Sequence, residues 1–412
     1  MLGRLRLVRR FLALVRADPA GIRTGFVAHL LATTTGLAAG LTLGAITDTL
    51  EQLPGLLVLV PAAVGLRGNV FGALGSRLGT LVATGQFRLS ARRDTEVGQN
   101  LWAALSLSLG VSLLLAVIAK GVAEAFGVRN AISLEDMVAV SMVAALLPSV
   151  VVLAITLGVA ALSVRREWDI DNVSVPTITA AGDVVTLPSL FLATYVVLDM
   201  PGWLPATVAI LGTVVAVGAV VTALRTQLQT VRRIVRESLP FVIIAATIST
   251  LAGVTIQSRI DSLAREPALL IVIPPLLSLA GSLAGILSAR ISTKMHLGLV
   301  DPSRLSLRPI AEDVTPVFLV AMPTFLVLGG AADVLAVVAD LRSPGVLEML
   351  GLMMLAGMVA TTLACFVAYV VGVVTYRLGW DPDNNGIPMV SSASDFLGAV
   401  SLMLSIAILG LS

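Results

Sequence analysis

The sequence predicts an all-α polytopic membrane protein of about eleven transmembrane helices, arranged as two parallel five-helix repeats joined by a linking helix. Three observations predict it: an apolar composition, a succession of blocks long enough to cross a bilayer, and a self-similarity at about half the chain length. Of 412 residues, 57% are hydrophobic and 13% charged, against about 25% charged in soluble domains. A mean hydropathy of +0.98 leaves more apolar surface than a soluble core absorbs.

A span needs about 20 mostly apolar residues. Blocks of that kind lie at 25–47, 55–75, 100–119, 137–163, 175–198, 203–224, 238–257, 267–289, 314–333, 345–373 and 386–411. If the first segment is cytoplasmic, the segments that fall inside hold 21 Lys and Arg and those outside hold 5, with Arg67 inside a span. This bias places the N-terminus in the cytoplasm and the C-terminus outside, as expected of a multi-pass cell-membrane protein. Residues 1–24 interleave arginine with leucine, valine and phenylalanine, the pattern of a retained interfacial helix on an anionic leaflet.

The repeat emerges when the chain is slid against itself. The register that sets Gly40 on Gly253 also pairs Asp48 with Asp261, Pro54 with Pro267, Pro61 with Pro274, Gly68 with Gly281, Gly72 with Gly285 and Arg77 with Arg290. A register shorter by a single position pairs Trp168 and Asp169 with Trp380 and Asp381, Asp171 and Asn172 with Asp383 and Asn384, Pro176 with Pro388 and Asp183 with Asp395. Most matched residues are Gly, Pro, Asp, Asn or Arg, so shared hydrophobicity does not generate the match. The expected organisation is 1–24 interfacial, 25–200 first repeat, 201–236 linking helix with a basic loop, and 237–412 second repeat. Five spans per repeat is an odd number, so the unpaired span 203–224 restores parallel orientation and makes the chain a pseudo-dimer about an axis along the membrane normal.

Composition excludes several functions. A net charge of +2 with no continuous basic face argues against nucleic acid. One cysteine, Cys365, permits no disulfide framework within the chain. The two histidines, His29 and His296, lie far apart and read as structural or exposed residues rather than metal ligands. Without a histidine pair or a Cys–His pair, an enzyme is not expected.

Polar residues inside the spans carry the chemistry. Gly68, Gly72, Gly281 and Gly285 form bulk-free faces that suit close helix packing. Arg67 and Asn69 lie at depths where polar groups need partners, and the Asn69 amide oxygen suits either a cation or the packing of its helix. The second repeat has Ala280 and Ser282 at those positions, so any role for Arg67 and Asn69 is asymmetric. Asp171, Asn172, Asp383 and Asn384 read either as turn and cap residues or as acids and amides that concentrate cations at a pore mouth. Asp183 and Asp395 each lie seven residues past a proline, roughly 10 Å deeper along a helix. A carboxylate at such depth costs at least about 2.5 kcal/mol, so its presence in both repeats asks for a role. Either neighbouring hydroxyls or Arg67 satisfy it structurally, or it binds an ion. Hydroxyls at Thr177, Thr179, Thr186, Ser391, Ser392 and Ser394 surround the two acids in sequence, and hard oxygen donors suit magnesium or calcium over zinc or copper.

With these residues in view, the chain resembles the membrane domain of MgtE-type magnesium transporters, most closely the solute carrier family 41 branch, in which two such domains are fused. Pro61, Gly65, Arg67, Gly68, Asn69, Ser76, Arg77 and Thr80, with the paired Asp segments ending at Asp183 and Asp395, carry the resemblance. It implies a magnesium pathway between the halves, with Asp183 and Asp395 as central ligands; the oxygen donors Thr179, Ser391 and Asn69 are expected beside them, with magnesium as both substrate and bound ligand in a lipid bilayer. Ser282 departs from the pattern, since an asparagine is expected there. The alternative reading is an ion-coupled carrier of another small solute such as an organic anion, for which Arg67 is the candidate basic residue within a span.

Overall fold

The computed structural model describes residues 19–128, 131–166, 170–296, 298, 307–379 and 386–411. The first half folds as α1 (Pro19–Ala45), a short α2 (Thr47–Gln52), α3 (Leu56–Ala83), α4 (Glu96–Ala125), α5 (Leu134–Arg166) and α6 (Ile170–Leu198). Then comes α7 (Leu204–Arg225), followed by α8 (Gln229–Gln257), a short α9 (Ile260–Arg265), α10 (Ala268–Ile271), α11 (Ile273–His296), α12 (Leu307–Val338), α13 (Val346–Leu378) and α14 (Ile387–Leu409). Ten of these helical segments are long and apolar enough to cross a membrane, and the block 25–47 falls on the 27-residue α1. All eleven apolar blocks are therefore helical, as a bilayer demands of a backbone that must satisfy its own hydrogen bonds.

Local chemistry marks the helix starts. The Thr95 hydroxyl accepts from Gly98 N at 3.1 Å to cap α4. Ser133 accepts from Asp136 N at 3.0 Å and donates to the Asp136 carboxylate at 2.7 Å before α5. Gly55 enters α3 at φ +95°, a left-handed conformation that glycine adopts freely. The apolar blocks do not predict the short helices, yet these obey the repeat: Thr47–Gln52 and Ile260–Arg265 occupy the same positions of the two halves.

Contacts between the halves are reciprocal. A Cβ on Gly40 would run into the Ile271 carbonyl, and one on Gly253 would meet the Val58 carbonyl oxygen at 2.5 Å. Ile271 is the counterpart of Val58 in the repeat, as Gly253 is of Gly40. Such exchanged pairs are what a two-fold relation generates. Here α1 crosses onto α10 and α11 of the second half while α8 crosses onto α3 of the first. Gly36 abuts Pro275 with 2.7 Å available to a Cβ, so glycine is required where these backbones approach. At this crossing of the halves the packing glycines are Gly36, Gly40 and Gly253, while Gly281, one of the expected ones, packs on Ser391 of α14. Gly72 and Gly285, expected to serve this purpose, face open space: a Cβ there meets no heavy atom within 4 Å.

The unpaired α7 docks on α4, α5 and α8. Gly110 of α4 receives Val220, and Gly212 of α7 receives Met142 of α5 at 2.9 Å. Its other side leaves Ile210, Leu211, Val214, Val215 and Val217 exposed, an apolar face suited to lipid.

Candidate functional site at the seam of the two halves

Among the described residues, Asp183 and Asp395 are the two buried acids, at 2% and 6% exposure. They occupy equivalent places on α6 and α14, and each carboxylate meets the opposite half. Asp183 Oδ2 accepts from the Ser278 hydroxyl of α11 at 2.6 Å. Asp395 Oδ2 lies 3.2 Å from where a Cβ on Gly65 of α3 would sit, and it accepts from Ser249 of α8 at 3.0 Å. Gly65 and Ser278 are counterparts in the repeat, so both acids address the same position across the seam.

Around Asp395 the polar groups are only partly engaged. Ser392 Oγ and Ser394 Oγ are buried and have no hydrogen-bond partner in the protein. A narrow cleft lined by Ala62, Asn69, Val242, Ser249 and Ser392 runs beside them, placing Asn69, itself buried, one helical turn from Gly65. In the other half Ser282 takes the place of Asn69 and lies 3.5 Å from His29 Nδ1. His29 is therefore a buried residue of the seam, standing where the repeat has Val242. Ser391 is packed against α11, its Oγ 3.3 Å from a Cβ built on Gly281.

Arg67, one of the two structural partners considered for the acids, does not pair with Asp183. The Arg67 side chain passes Gly182, 3.3 Å from a Cβ built there, but its Nη1 donates to Ser108 at 2.5 Å and to Ser149 at 3.3 Å. The sequence does not single out those serines, because nothing local marks residues on α4 and α5 as partners of α3. Asp171 and Asn172 fall within the first turn of α6, which is helical from Ile170. The side chains of Asp171, Asn172 and Thr179, and residues Asp383 and Asn384, lie outside the described residues, as do the basic residues 1–18. Gly68 is half-buried on α3. No cluster of three or more His, Cys, Asp or Glu side chains that could hold a metal forms among the described residues.

A duplicated all-helical assembly, most of whose helices are long and apolar enough to cross a membrane, defines a polytopic membrane protein, here with a pair of buried acids at its seam. The chain belongs to the MgtE family of divalent cation transporters, which it matches twice, over residues 60–193 and 273–405. It is 25% identical to rat solute carrier family 41 member 3 over 389 residues, 88% of this chain and 83% of that protein. Human solute carrier family 41 member 2 is 26% identical over 410 residues, 92% of this chain and 69% of that protein, and the Xenopus laevis member 2 is 24% identical over 417 residues, 93% and 71%. No solved structure matches the chain significantly.

Proposed function

We propose that this protein carries magnesium across the cell membrane, and that Asp183 and Asp395 together form its central cation-binding pair. One observation carries the reading: the two buried acids converge on the seam, each against the other half at equivalent positions. Two like charges in a poorly solvated place repel, and a divalent cation between them reverses the sign of that interaction. Magnesium dehydrates reluctantly and usually keeps several waters. Two carboxylates with Ser and Thr hydroxyls and, among the described residues, no third acid suit a largely hydrated ion read through its outer shell. Asn69 borders the narrow cleft that also holds Ser249 and Ser392. Asp171, Asn172, Asp383 and Asn384 gather cations at the mouth of the route. The halves lie parallel, with the N-terminus cytoplasmic. Labelling of single cysteines at positions 202 and 227, flanking α7, then reports opposite sides.

An organic anion as cargo fits less well. The basic residue it would need, Arg67, opens onto a cavity with about 10 Å³ of room, about one water.

The test is magnesium uptake into proteoliposomes. Asp183→Asn and Asp395→Asn keep shape and delete one charge each. Each loses most transport, and the double variant is little worse than the worse single, because the pair acts as a unit. Cobalt(III) hexaammine, which cannot shed its ligands, competes with the hydrated ion. Wild-type rates in both equally well-inserted single variants would remove these acids from the pathway.

A further inference from the structure

The first half holds an uncompensated buried cation. Arg67 is 3% exposed, inside a membrane span, and no carboxylate pairs with it; the one ion pair among the described residues joins Lys120 and Glu124. Arginine does not lose its proton in proteins. A lone buried charge is among the costliest groups a protein can hold. Its hydrogen bonds do not cancel that charge, since Ser108 and Ser149 are neutral. Ser149 donates in turn to the Ala145 carbonyl at 2.6 Å, so the Ser108 hydroxyl is the donor in the 2.9 Å contact between the two serines.

Two polar atoms beside Arg67 are left with nothing. Arg67 Nε and Thr186 Oγ1 are both buried without a hydrogen-bond partner. Both residues line one cavity between α3, α4, α5 and α6, together with Ser112 and Ser141 and the apolar Leu66 and Ala144. The Ser112 and Ser141 hydroxyls already donate to the carbonyls of Ser108 and Ser112, each at 2.7 Å. What faces the cavity is therefore a guanidinium N–H, which can only donate, and a hydroxyl free to donate. Whatever fills the space must accept from Arg67 Nε, the Thr186 hydroxyl is free to donate to it as well, and a negative charge on it would neutralise Arg67. The room is about 10 Å³, the size of one water.

We propose that this cavity is a binding site for one small monovalent anion of the halide class, chloride in a cell, held by Arg67 Nε and the Thr186 hydroxyl. It belongs to one half only. The second repeat has Ala280 for Arg67 and Phe325 for Ser112, and the Phe325 ring lies on Gly357 with no exposure. The site also touches the transport route. Thr186 follows Asp183 by three residues on α6, and Gly182 lies against the Arg67 stem. A bound anion cancels a positive charge that opposes a cation at Asp183, so anion and divalent cation strengthen each other's binding to the same degree. This linkage rests on the proposed transport function, whereas anion binding itself does not.

The experiment uses purified full-length protein free of divalent cations, melted in equal concentrations of sodium chloride, bromide or gluconate. Chloride and bromide raise the melting midpoint in a saturating manner, and gluconate, too large for the cavity, does not. Arg67→Met abolishes the halide effect. If that variant does not insert, Thr186→Val, which removes the hydroxyl at constant volume, weakens halide affinity severalfold. Crystals grown in bromide show an anomalous peak beside Arg67. In proteoliposomes, exchanging chloride for gluconate lowers apparent magnesium affinity about fivefold or more, the lower range of ordinary coupling. Equal wild-type midpoints in halide and gluconate, or halide stabilisation that survives both substitutions, would overturn the site and leave a water in its place. Because the melting series contains no divalent cation, it reads the anion site whether or not the aspartate variants uphold the transport reading.

Discussion

The same place in the two repeats is built in opposite ways. Between α3, α4, α5 and α6 the first half encloses a polar cavity with Arg67, Ser112 and Thr186 on its walls. At the equivalent place between α11, α12, α13 and α14 the second half has Ala280, Phe325 and Gly398, with Phe325 fully buried against Gly357. The backbone frame is kept on both sides, down to the short helices Thr47–Gln52 and Ile260–Arg265. What differs is side-chain content behind the acids. Duplication thus preserves the contacts that build the seam and leaves each half free to specialise around it.

If the seam is the shared element, breaking it has the largest effect. Gly40→Val places its branched side chain against the Ile271 carbonyl, a backbone atom that cannot move aside. The cost exceeds the ~1–3 kcal/mol of ordinary overpacking, and the variant yields little monodisperse protein. Gly253→Val is also damaging, but the Val58 carbonyl stands farther off, at 2.5 Å, so Gly253→Ala is better tolerated than Gly40→Ala. Normal yields and melting midpoints for both valine variants would show that the seam does not need these glycines.

The second effect isolates the cavity from its packed counterpart. Phe325→Ala removes a buried ring and leaves a void, a loss of ~3–5 kcal/mol. Ser112→Ala, at the equivalent position, gives up one hydrogen bond to the Ser108 carbonyl and costs ~0.5–1.5 kcal/mol. Melting midpoints separate the two, and equal losses would mean that the two places are packed alike.

Much of this frame is legible in the sequence because bilayer thickness fixes span length and the repeat keeps its Gly, Pro and Asp residues in step. The start of α8 is not, since the apolar block opens only at 238. The helix begins at Gln229, where Val231, Ile234 and Val235 are buried between exposed Arg232, Arg233 and Arg236, a short amphipathic run that an apolar-block search passes over. The two acids are legible as a repeated, costly pair. Their donors are not: Ser278 matches Gly65, and Ser249 matches Gly36, so a comparison that seeks identical residues misses both. His29 reads from the sequence as structural or exposed, and only tertiary packing places it against Ser282.

The smallest effect concerns those donors, and it tests how far the two acids are equivalent. Asp183 takes its hydroxyl from the opposite half, at 2.6 Å, while Asp395 takes one from its own half, at 3.0 Å. Hydrogen bonds to charged groups contribute ~1.5–3 kcal/mol, so Ser278→Ala and Ser249→Ala each lower the stability of magnesium-free protein by an amount of that order or below. The shorter bond makes Ser278→Ala the more damaging. A cation at the acids replaces part of what the hydroxyl supplied. Ligands that favour the folded state raise its stability according to their affinity, so magnesium raises the midpoint more in both variants than in the wild type, and most in Ser278→Ala. Melting curves across a magnesium series read this directly. Were magnesium to stabilise the Ser278→Ala protein less than the wild type, the hydroxyl would be a ligand of the ion or its waters, not a substitute for it. Identical behaviour of the two variants would mean that the acids are equivalent despite their different donors.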